Sequence, residues 1–377
     1  KLLGPRRGSA TEPFHKGRCF VESSASSMSF VSLSLFLSLS SMLLDRALAG
    51  ARQDLRPCIA SVDCSSEWSD EVAYLQSHIQ LRSRSSSFAE LVDACQLGEV
   101  PLASARCQAA RLQASRPVAW IHPPKCGSTF GNVLMYLPGM CPFLPPGYLL
   151  DGHQHEMSSV GHKTDLWCPG SFSYEGRLNF GDHYAVGGVY KSSVEGHGFI
   201  MLRQPEQRII SAYNFDQHSW PKWLFHRPAK DLLEYAQVCS GCAVKILTRK
   251  AIDGDPFHGF TSCGNPPPAT ASEVTLAKQR LRSGFVFVGI TDEWDLSICL
   301  LHAIFGGSCL ATDFVDIRPG LNKTHDLYDT SDLMGFKDIA DGALFAEAST
   351  IFSEQMQRYN VSYESCKSCF QEALSFK

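Results

Sequence analysis

Charge is scarce in this chain. Of its 377 residues, 19% are Asp, Glu, Lys or Arg, against about 25% in an average soluble domain. No basic excess compensates, because 34 Lys and Arg face 38 Asp and Glu for a net charge of −4. Binding along a nucleic-acid backbone needs a broad basic field. That class is set aside, and any anionic ligand must be held by a few placed cations. Long apolar runs are also lacking. The one sustained stretch, Phe30 to Leu44, is diluted by serines and falls short of the roughly 20 residues that span a bilayer as a helix. No internal repeat is seen. Yet 44% of the residues are hydrophobic and 11% aromatic, enough for a core, which excludes disordered, coiled-coil and collagen-like chains. At roughly 100–200 residues per domain, the length suits one large domain with extensions, or two domains.

Cysteine, by contrast, is plentiful, with 15 spread along the chain. That usage predicts an oxidising compartment and several disulfides. Two tight pairs, Cys239/Cys242 and Cys366/Cys369, lie more than a hundred residues apart. A zinc ribbon sets its pairs about 15–20 residues apart, so disulfides or buried thiols are the expected reading, with connectivity open. Near the amino end, Met28, the Phe30–Leu44 run and Ala47-Leu48-Ala49 form the pattern of a secretory segment with a cleavage site after Ala49. Residues 28–49 are therefore read as a signal peptide or short signal-anchor, the latter giving membrane anchoring. Residues 1–27 are read as upstream extension, with Met28 as the start. Asn322-Lys323-Thr324 and Asn360-Val361-Ser362 are N-glycosylation sequons.

From Gly50 to about residue 116 the sequence is polar and rich in Ser and Arg, with helical patches such as Trp68 to Leu81. It reads as a stem or helical lead-in. From Pro117 strands alternate with helices, the pattern of an α/β domain with a central parallel sheet flanked by helices. Val118–His122, Gly198–Leu202 and Phe285–Ile290 are short, continuous apolar runs, expected of strands buried on both faces. Helices are expected after each, over 129–137, 205–215 and 292–305, with a closing helix over 344–359. Thr291 or Asp292 is the expected cap of the third helix and Gly306-Gly307 its stop.

Two of these strand–helix junctions carry chemistry. The first reads Val118-Ala-Trp-Ile-His-Pro-Pro-Lys125-Cys126-Gly127-Ser128-Thr129. Amide groups at a helix start favour anions, and glycine lets the backbone approach one closely. Ser128 and Thr129 add hydroxyl donors and Lys125 a point charge. In a Walker A loop the lysine follows the last glycine; here Lys125 precedes Gly127, which counts against a mononucleotide kinase. Alone, the segment is equally a βα turn whose small residues only permit packing. The second junction runs from Gly198 through Arg203-Gln204-Pro205-Glu206-Gln207-Arg208-Ile209-Ile210-Ser211-Ala212-Tyr213. It brings Arg203 to the carboxyl end of a strand, where open α/β sheets bind ligands. Pro205 starts the helix, Arg203 offers a planar fork for a phosphate, and Ser211 follows as a hydroxyl donor. A strand-end salt bridge is the plain alternative for Arg203.

Together these junctions resemble the Golgi carbohydrate sulfotransferases, nearest the heparan sulfate 2-O- and 6-O- and chondroitin-type branch. The shared pattern is a P-K-T-G-[GS]-[TS] loop followed by R-D-P-x-x-R-x-x-S-x-Y. Phe285-Val-Phe-Val-Gly-Ile-Thr-Asp-Glu-Trp-Asp295 resembles the late F-V-G-[IL]-T-E segment of the same family. The likeness covers roughly residues 117–330, with three segments in order. It implies a P-loop-like sulfotransferase fold over 117–377 that uses 3′-phosphoadenosine 5′-phosphosulfate (PAPS) without a metal. By that resemblance Lys125, Cys126, Gly127, Ser128 and Thr129 hold the 5′-phosphosulfate, while Arg203 and Ser211 hold the 3′-phosphate. Lys125 offsets charge on the leaving oxygen. Gly181-Asp182-His183 resembles the segment that supplies the base, so His183 is the expected catalytic histidine, with Asp182 orienting it. His153, His155, His162 and His197 compete for that role. Asn322-Lys323-Thr324 falls where the family closes a loop over the nucleotide.

The departures are Cys126 for threonine, a poorer donor that lowers the expected nucleotide affinity, and Gln204 for aspartate, with loss of an expected salt bridge. Trp120, Trp220 and Trp223 are candidates to face a sugar, Trp120 being the better core residue. The expectation is a sulfotransferase of the secretory pathway, in the Golgi lumen or membrane, or secreted if cleaved at Ala49, with a glycan acceptor and no nucleic-acid partner. Two other classes stand beside it. One is a non-catalytic glycan-binding protein on the same fold, and the other a P-loop small-molecule kinase, which would need ATP and a magnesium-holding carboxylate.

Overall fold

The computed structural model describes residues 88–149, 166–173, 183–250, 263–315 and 327–374. The apolar segment 30–44, its cleavage site and the 68–81 patch lie outside them, as do Asn322, Cys19, Cys58 and Cys64. The helices are α1 (88–97), α2 (Ala105–Ala114), α3 (Phe130–Tyr136), α4 (Pro205–Asn214), α5 (Lys222–Phe225), α6 (Leu232–Cys239), α7 (Cys242–Thr248), α8 (Ala271–Gly284), α9 (Trp294–Phe305), α10 (Ile339–Arg358) and α11 (Lys367–Leu374). The strands are β1 (Ala119–Ile121), β2 (Gly198–Leu202) and β3 (Phe285–Ile290).

The three strands form one parallel sheet in the order β1-β2-β3. Ala119 pairs with Gly198, Ile121 with Ile200 and Leu202 with Ile290. Nearly every strand residue is buried, which explains why these runs are continuous and not alternating. Gly198 leaves room for a neighbouring side chain, since a β-carbon there would stand 2.7 Å from the Phe285 ring. The core is aromatic across the sheet. Phe130 stacks on Phe287 at 5.4 Å, and Phe199 lies 4.9 Å from Phe305. Helices α9 and α10 pack on β3, α7 and α10 on α8, and α6 on α4. The domain is thus α/β, a small three-stranded parallel sheet flanked by helices.

Side-chain caps define several helix starts. Ser104 accepts from Cys107 N–H on α2, Asp231 from Glu234 on α6, and Thr270 and Glu273 form a reciprocal capping box on α8. The third junction differs from expectation at its start. Thr291–Glu293 is a 3₁₀ turn, and α9 begins only at Trp294, capped by neither Thr291 nor Asp292. Its stop is Gly306, at φ +83°, as the sequence predicts. The closing helix starts at Ile339, a turn and a half earlier than the apolar spacing indicates, because Asp338 caps it by accepting from Asp341 N–H.

The carboxyl half of the lead-in packs on the domain. Gln108 Nε2 donates to the His302 and Ala303 carbonyls at 3.3 and 3.2 Å, Arg111 Nε donates to Ile304 at 2.9 Å, and Leu112 enters the core. Five disulfides join Cys95–Cys107, Cys141–Cys168, Cys242–Cys263, Cys299–Cys366 and Cys309–Cys369. The two tight pairs are therefore split among different bridges, and Cys239 is a buried thiol, as is Cys126. Such a set fits a secretory-pathway or extracellular protein. Among the described residues no helix is long and apolar enough to cross a membrane. Asn360, of the second sequon, is exposed just past α10.

Candidate functional site

Because β1 and β2 are adjacent and parallel, their carboxyl ends project two loops side by side. Neighbouring strands lie about 5 Å apart. The first loop runs from His122 to Thr129. Lys125 sits at φ +66°, in the left-handed region, which costs a non-glycine residue roughly 1–2 kcal/mol. Its half-buried side chain carries the ammonium to 3.9 Å from the centre of the Phe215 ring, at the end of α4. Gly127 is at φ +78°, and a β-carbon there would meet the Trp294 indole at 2.7 Å. Glycine is required twice over, by conformation and by space. Phe130 N–H donates to Gly127 O and Gly131 N–H to Ser128 O, so α3 winds up directly from the loop. Ser128 is half-buried and Thr129 buried.

Arg203 is the first residue past β2. It is half-buried, and its guanidinium carbon lies 5.5 Å from the Tyr328 ring centre. Gln207 holds that tyrosine by its backbone, donating to Tyr328 O at 2.9 Å and accepting from Tyr328 N–H at 2.7 Å. Gln204 is held at both its side chain and its backbone. Its side-chain oxygen caps α4 by accepting from Gln207 N–H at 2.8 Å, and Asp292, from the end of β3, accepts from Gln204 N–H at 3.0 Å. The expected loss of a steadying carboxylate is thus offset from another strand. Ser211 lies on α4 and is 4% exposed.

Cys126 belongs beneath the loop. Its thiol is 0% exposed, takes a hydrogen bond from Arg203 N–H and faces the Arg208 guanidinium. Burial pushes it up to about 12, so it is a thiol at neutral pH, and its own N–H donates to Pro123 O. A role in holding a phosphate through this side chain is not what the geometry offers. The thiol instead ties the lysine loop to the arginine strand end.

Below that contact lies a buried charge cluster. Arg208 is 2% exposed, with Nη2 3.7 Å from Asp341 and 3.9 Å from Asp338, and donates to Cys239 O at 3.1 Å. Burial works against its charge, but Asp341 and Asp338 more than offset that. Asp338 accepts from Gly241 N–H and Asp341 accepts from Ala243 and Val244 N–H, so the two carboxylates hold the start of α7. Burial, then the charge of Asp341, pushes the Asp338 carboxyl up to about 7. A cavity of about 10 Å³ lies among Cys126, Arg203, Arg208 and Asp341, room for a single water.

Of the candidate histidines, only two are described. His197 precedes β2, bonds Ser115 O at 3.1 Å, and so lies at the amino edge of the sheet, away from the lysine loop. His153, His155, His162, Gly181 and Asp182 lie outside the described residues. His183 stands against the loop. Its Nδ1 is 2.6 Å from the carbonyl of His122, and its ring is 4.7 Å from that of His122. Its Nε2 lies 3.2 Å from Nε2 of His218, a residue not singled out from the sequence. His218 follows α4 and stands edge-on to Phe215, the ring that Lys125 covers. Lysine loop, arginine strand end and His183 are therefore brought together at one edge of the sheet.

Trp120 and Trp220 are both buried, and so are not exposed as sugar platforms. Trp220 is buried, stacked on Phe225 at 4.8 Å, and donates to Arg227 O. Trp120 is buried and stacks on His122 at 4.7 Å. The side chain of Trp223 lies outside the described residues. Arg208, Asp338, Trp294 and His218 are the participants that reading the sequence missed. Only Arg208 left a signal, as a second arginine within the strand–helix motif. No family model, curated protein or solved structure matches this chain.

Proposed function

We propose that the protein is a PAPS-dependent sulfotransferase acting on a hydroxyl acceptor, of the carbohydrate class implied by its motif resemblance. The observation that carries this reading is the delivery of Lys125 and Arg203 by neighbouring parallel strands to one edge, with His183 beside them. An ammonium, a guanidinium and the hydroxyls of Ser128 and Thr129 form a donor set suited to a nucleotide with phosphate at two separated positions. Arg203 and Ser211 take the 3′-phosphate, and Lys125 with the Gly127–Thr129 loop takes the 5′ end. The P-loop-like sulfotransferase fold and a Golgi or secreted location belong to the same proposal, the latter supported by the five disulfides.

The donor supplies an activated sulfuryl group. Transfer forms a bond from the acceptor oxygen to sulfur and breaks the bond from sulfur to the bridging oxygen of the 5′-phosphate. Lys125 offsets the negative charge that the departing phosphate oxygen gains. The acceptor proton ends on His183, whose Nδ1 is anchored on the His122 carbonyl and whose Nε2 is the basic nitrogen. Radiolabelled sulfate transfer from PAPS to a panel of glycans tests the proposal. Transfer that depends on Lys125 is the expected result, and none to any hydroxyl acceptor would refute it.

A further inference from the structure

Arg203 is half-buried, yet among the described residues its guanidinium forms no hydrogen bond or ion pair. Its N–H donors are left for an anion. What it does face is the ring of Tyr328, 5.5 Å from the guanidinium carbon, within the roughly 6 Å over which an aromatic face attracts a cation. Tyr328 is itself firmly held. The side chain of Gln207, 5% exposed, donates to Tyr328 O at 2.9 Å and accepts from Tyr328 N–H at 2.7 Å. It thus pairs with that one residue as a neighbouring antiparallel strand would. Further on, Asp338 N–H donates to Glu206 Oε1 at 3.1 Å, and Leu333 between them is 1% exposed. The segment from Tyr328 to Asp338 is therefore fastened at both ends to the first turn of α4, the helix that Arg203 leads into. Guanidinium and ring are carried on one frame.

Building on the sulfotransferase reading above, we infer that Tyr328 is the positioning residue that gives the site its preference for a 3′-phosphate, with Gln207 holding it in place. The ring presets the Arg203 guanidinium before the nucleotide arrives. A long, flexible arginine otherwise gives up its rotamer freedom on binding, and that cost is subtracted from the affinity. An aromatic face attracts the cation without consuming the strong hydrogen bonds that a phosphate needs. A carboxylate in the same place would neutralise the charge and compete with the ligand. The effect is confined to the 3′ end, because Lys125 and the Gly127–Thr129 loop serve the 5′ end in that reading.

The test titrates the full chain with 3′-phosphoadenosine 5′-phosphate, the desulfated donor, and with adenosine 5′-monophosphate. Wild type is compared with Tyr328→Leu, Tyr328→Phe and Gln207→Ala. Tyr328→Leu is expected to weaken the bisphosphate by roughly 3- to 30-fold, the range for losing a cation–π contact, with the monophosphate within about two-fold. Tyr328→Phe keeps the ring and should bind both nucleotides within about two-fold of wild type. Gln207→Ala releases the backbone that carries the ring and should lower the same preference by about two-fold or more. It also covers the case in which Tyr328→Leu does not fold. A ring that served packing alone would lower the melting temperature and weaken both nucleotides alike. That result, or the full wild-type preference kept in Tyr328→Leu, would overturn the inference and leave the sulfotransferase reading standing. A wild type that does not favour the bisphosphate would sink that parent reading.

Discussion

The indole of Trp294, at the start of α9, occupies the space that a side chain on Gly127 would need, 2.7 Å from the position of its β-carbon. The turn after β3 thus shapes the lysine loop after β1, although β2 lies between those strands. Gly127→Ala should lower the melting temperature and weaken binding of 3′-phosphoadenosine 5′-phosphate (PAP), the desulfated nucleotide, at least ten-fold, since it combines a clash with a left-handed φ of +78° at a cost of roughly 1–3 kcal/mol. Adding Trp294→Leu should recover only the part due to the clash. Thermal melts and PAP titration of both variants check this.

Arg208 faces two buried carboxylates, Asp338 and Asp341. Arg208→Met leaves them uncompensated and should destabilise the fold by about 3–5 kcal/mol. The penalty should shrink at low pH, where protonation of the carboxylates removes the need for a partner. Urea unfolding at pH 8 and pH 5.5 measures both values, and a loss that does not vary with pH would argue against uncompensated carboxylates as its cause.

Asp338 gives the wild type its own pH signature. Its folded carboxyl is raised to about 7, by burial first and by Asp341 second, above an ordinary value near 3.8. A raised folded value means that the folded state holds the proton more tightly, so this contribution is full below about pH 4 and is lost as pH rises through 7. The stability of wild type relative to Asp338→Asn should therefore fall between pH 5 and pH 8. Melting temperatures of the two proteins across that range provide the comparison.

Two bridges, Cys299–Cys366 and Cys309–Cys369, fasten α11 to the helix after β3 and to the loop that follows it. Replacing both Cys366 and Cys369 by Ser should cost several kcal/mol, on the scale of about 3–5 for each long-range disulfide. Limited proteolysis should then cut first near residues 361–367, while PAP binding at the β1–β2 junction falls by less than three-fold.

Much of this architecture was legible in the sequence because both faces of the strands are buried. Gly198–Leu202 and Phe285–Ile290 have no polar interruption, and their observed bounds match the apolar runs. The lysine loop and Arg203 were legible as a motif, and parallel pairing places them together. What remained hidden depends on contacts between distant segments. Asp338 and Asp341 interrupt the apolar pattern at the start of α10, and the groups that account for them, Arg208 and the first amides of α7, lie about a hundred or more residues away along the chain. The disulfide partners of Cys242 and Cys366 lie 21 and 67 residues away along the chain, which spacing alone could not choose. The row of His122, His183 and His218 draws on three separate segments, and no local pattern marks its last member. Cys126 lies within the lysine-loop motif and so reads as a ligand contact, but a thiol is soft and apolar and is buried here in the core.

The central claim is that Lys125 and Arg203 grip the two phosphate-bearing ends of one nucleotide, and calorimetric titration with PAP and with adenosine 5′-monophosphate tests it most directly. PAP should bind wild type at least 100-fold more tightly than the monophosphate, Arg203→Ala should erase most of that difference, and Lys125→Ala should weaken both ligands while the fold stays intact. Equal affinity for the two nucleotides in the wild type, or a preference for PAP that survives Arg203→Ala, would contradict it.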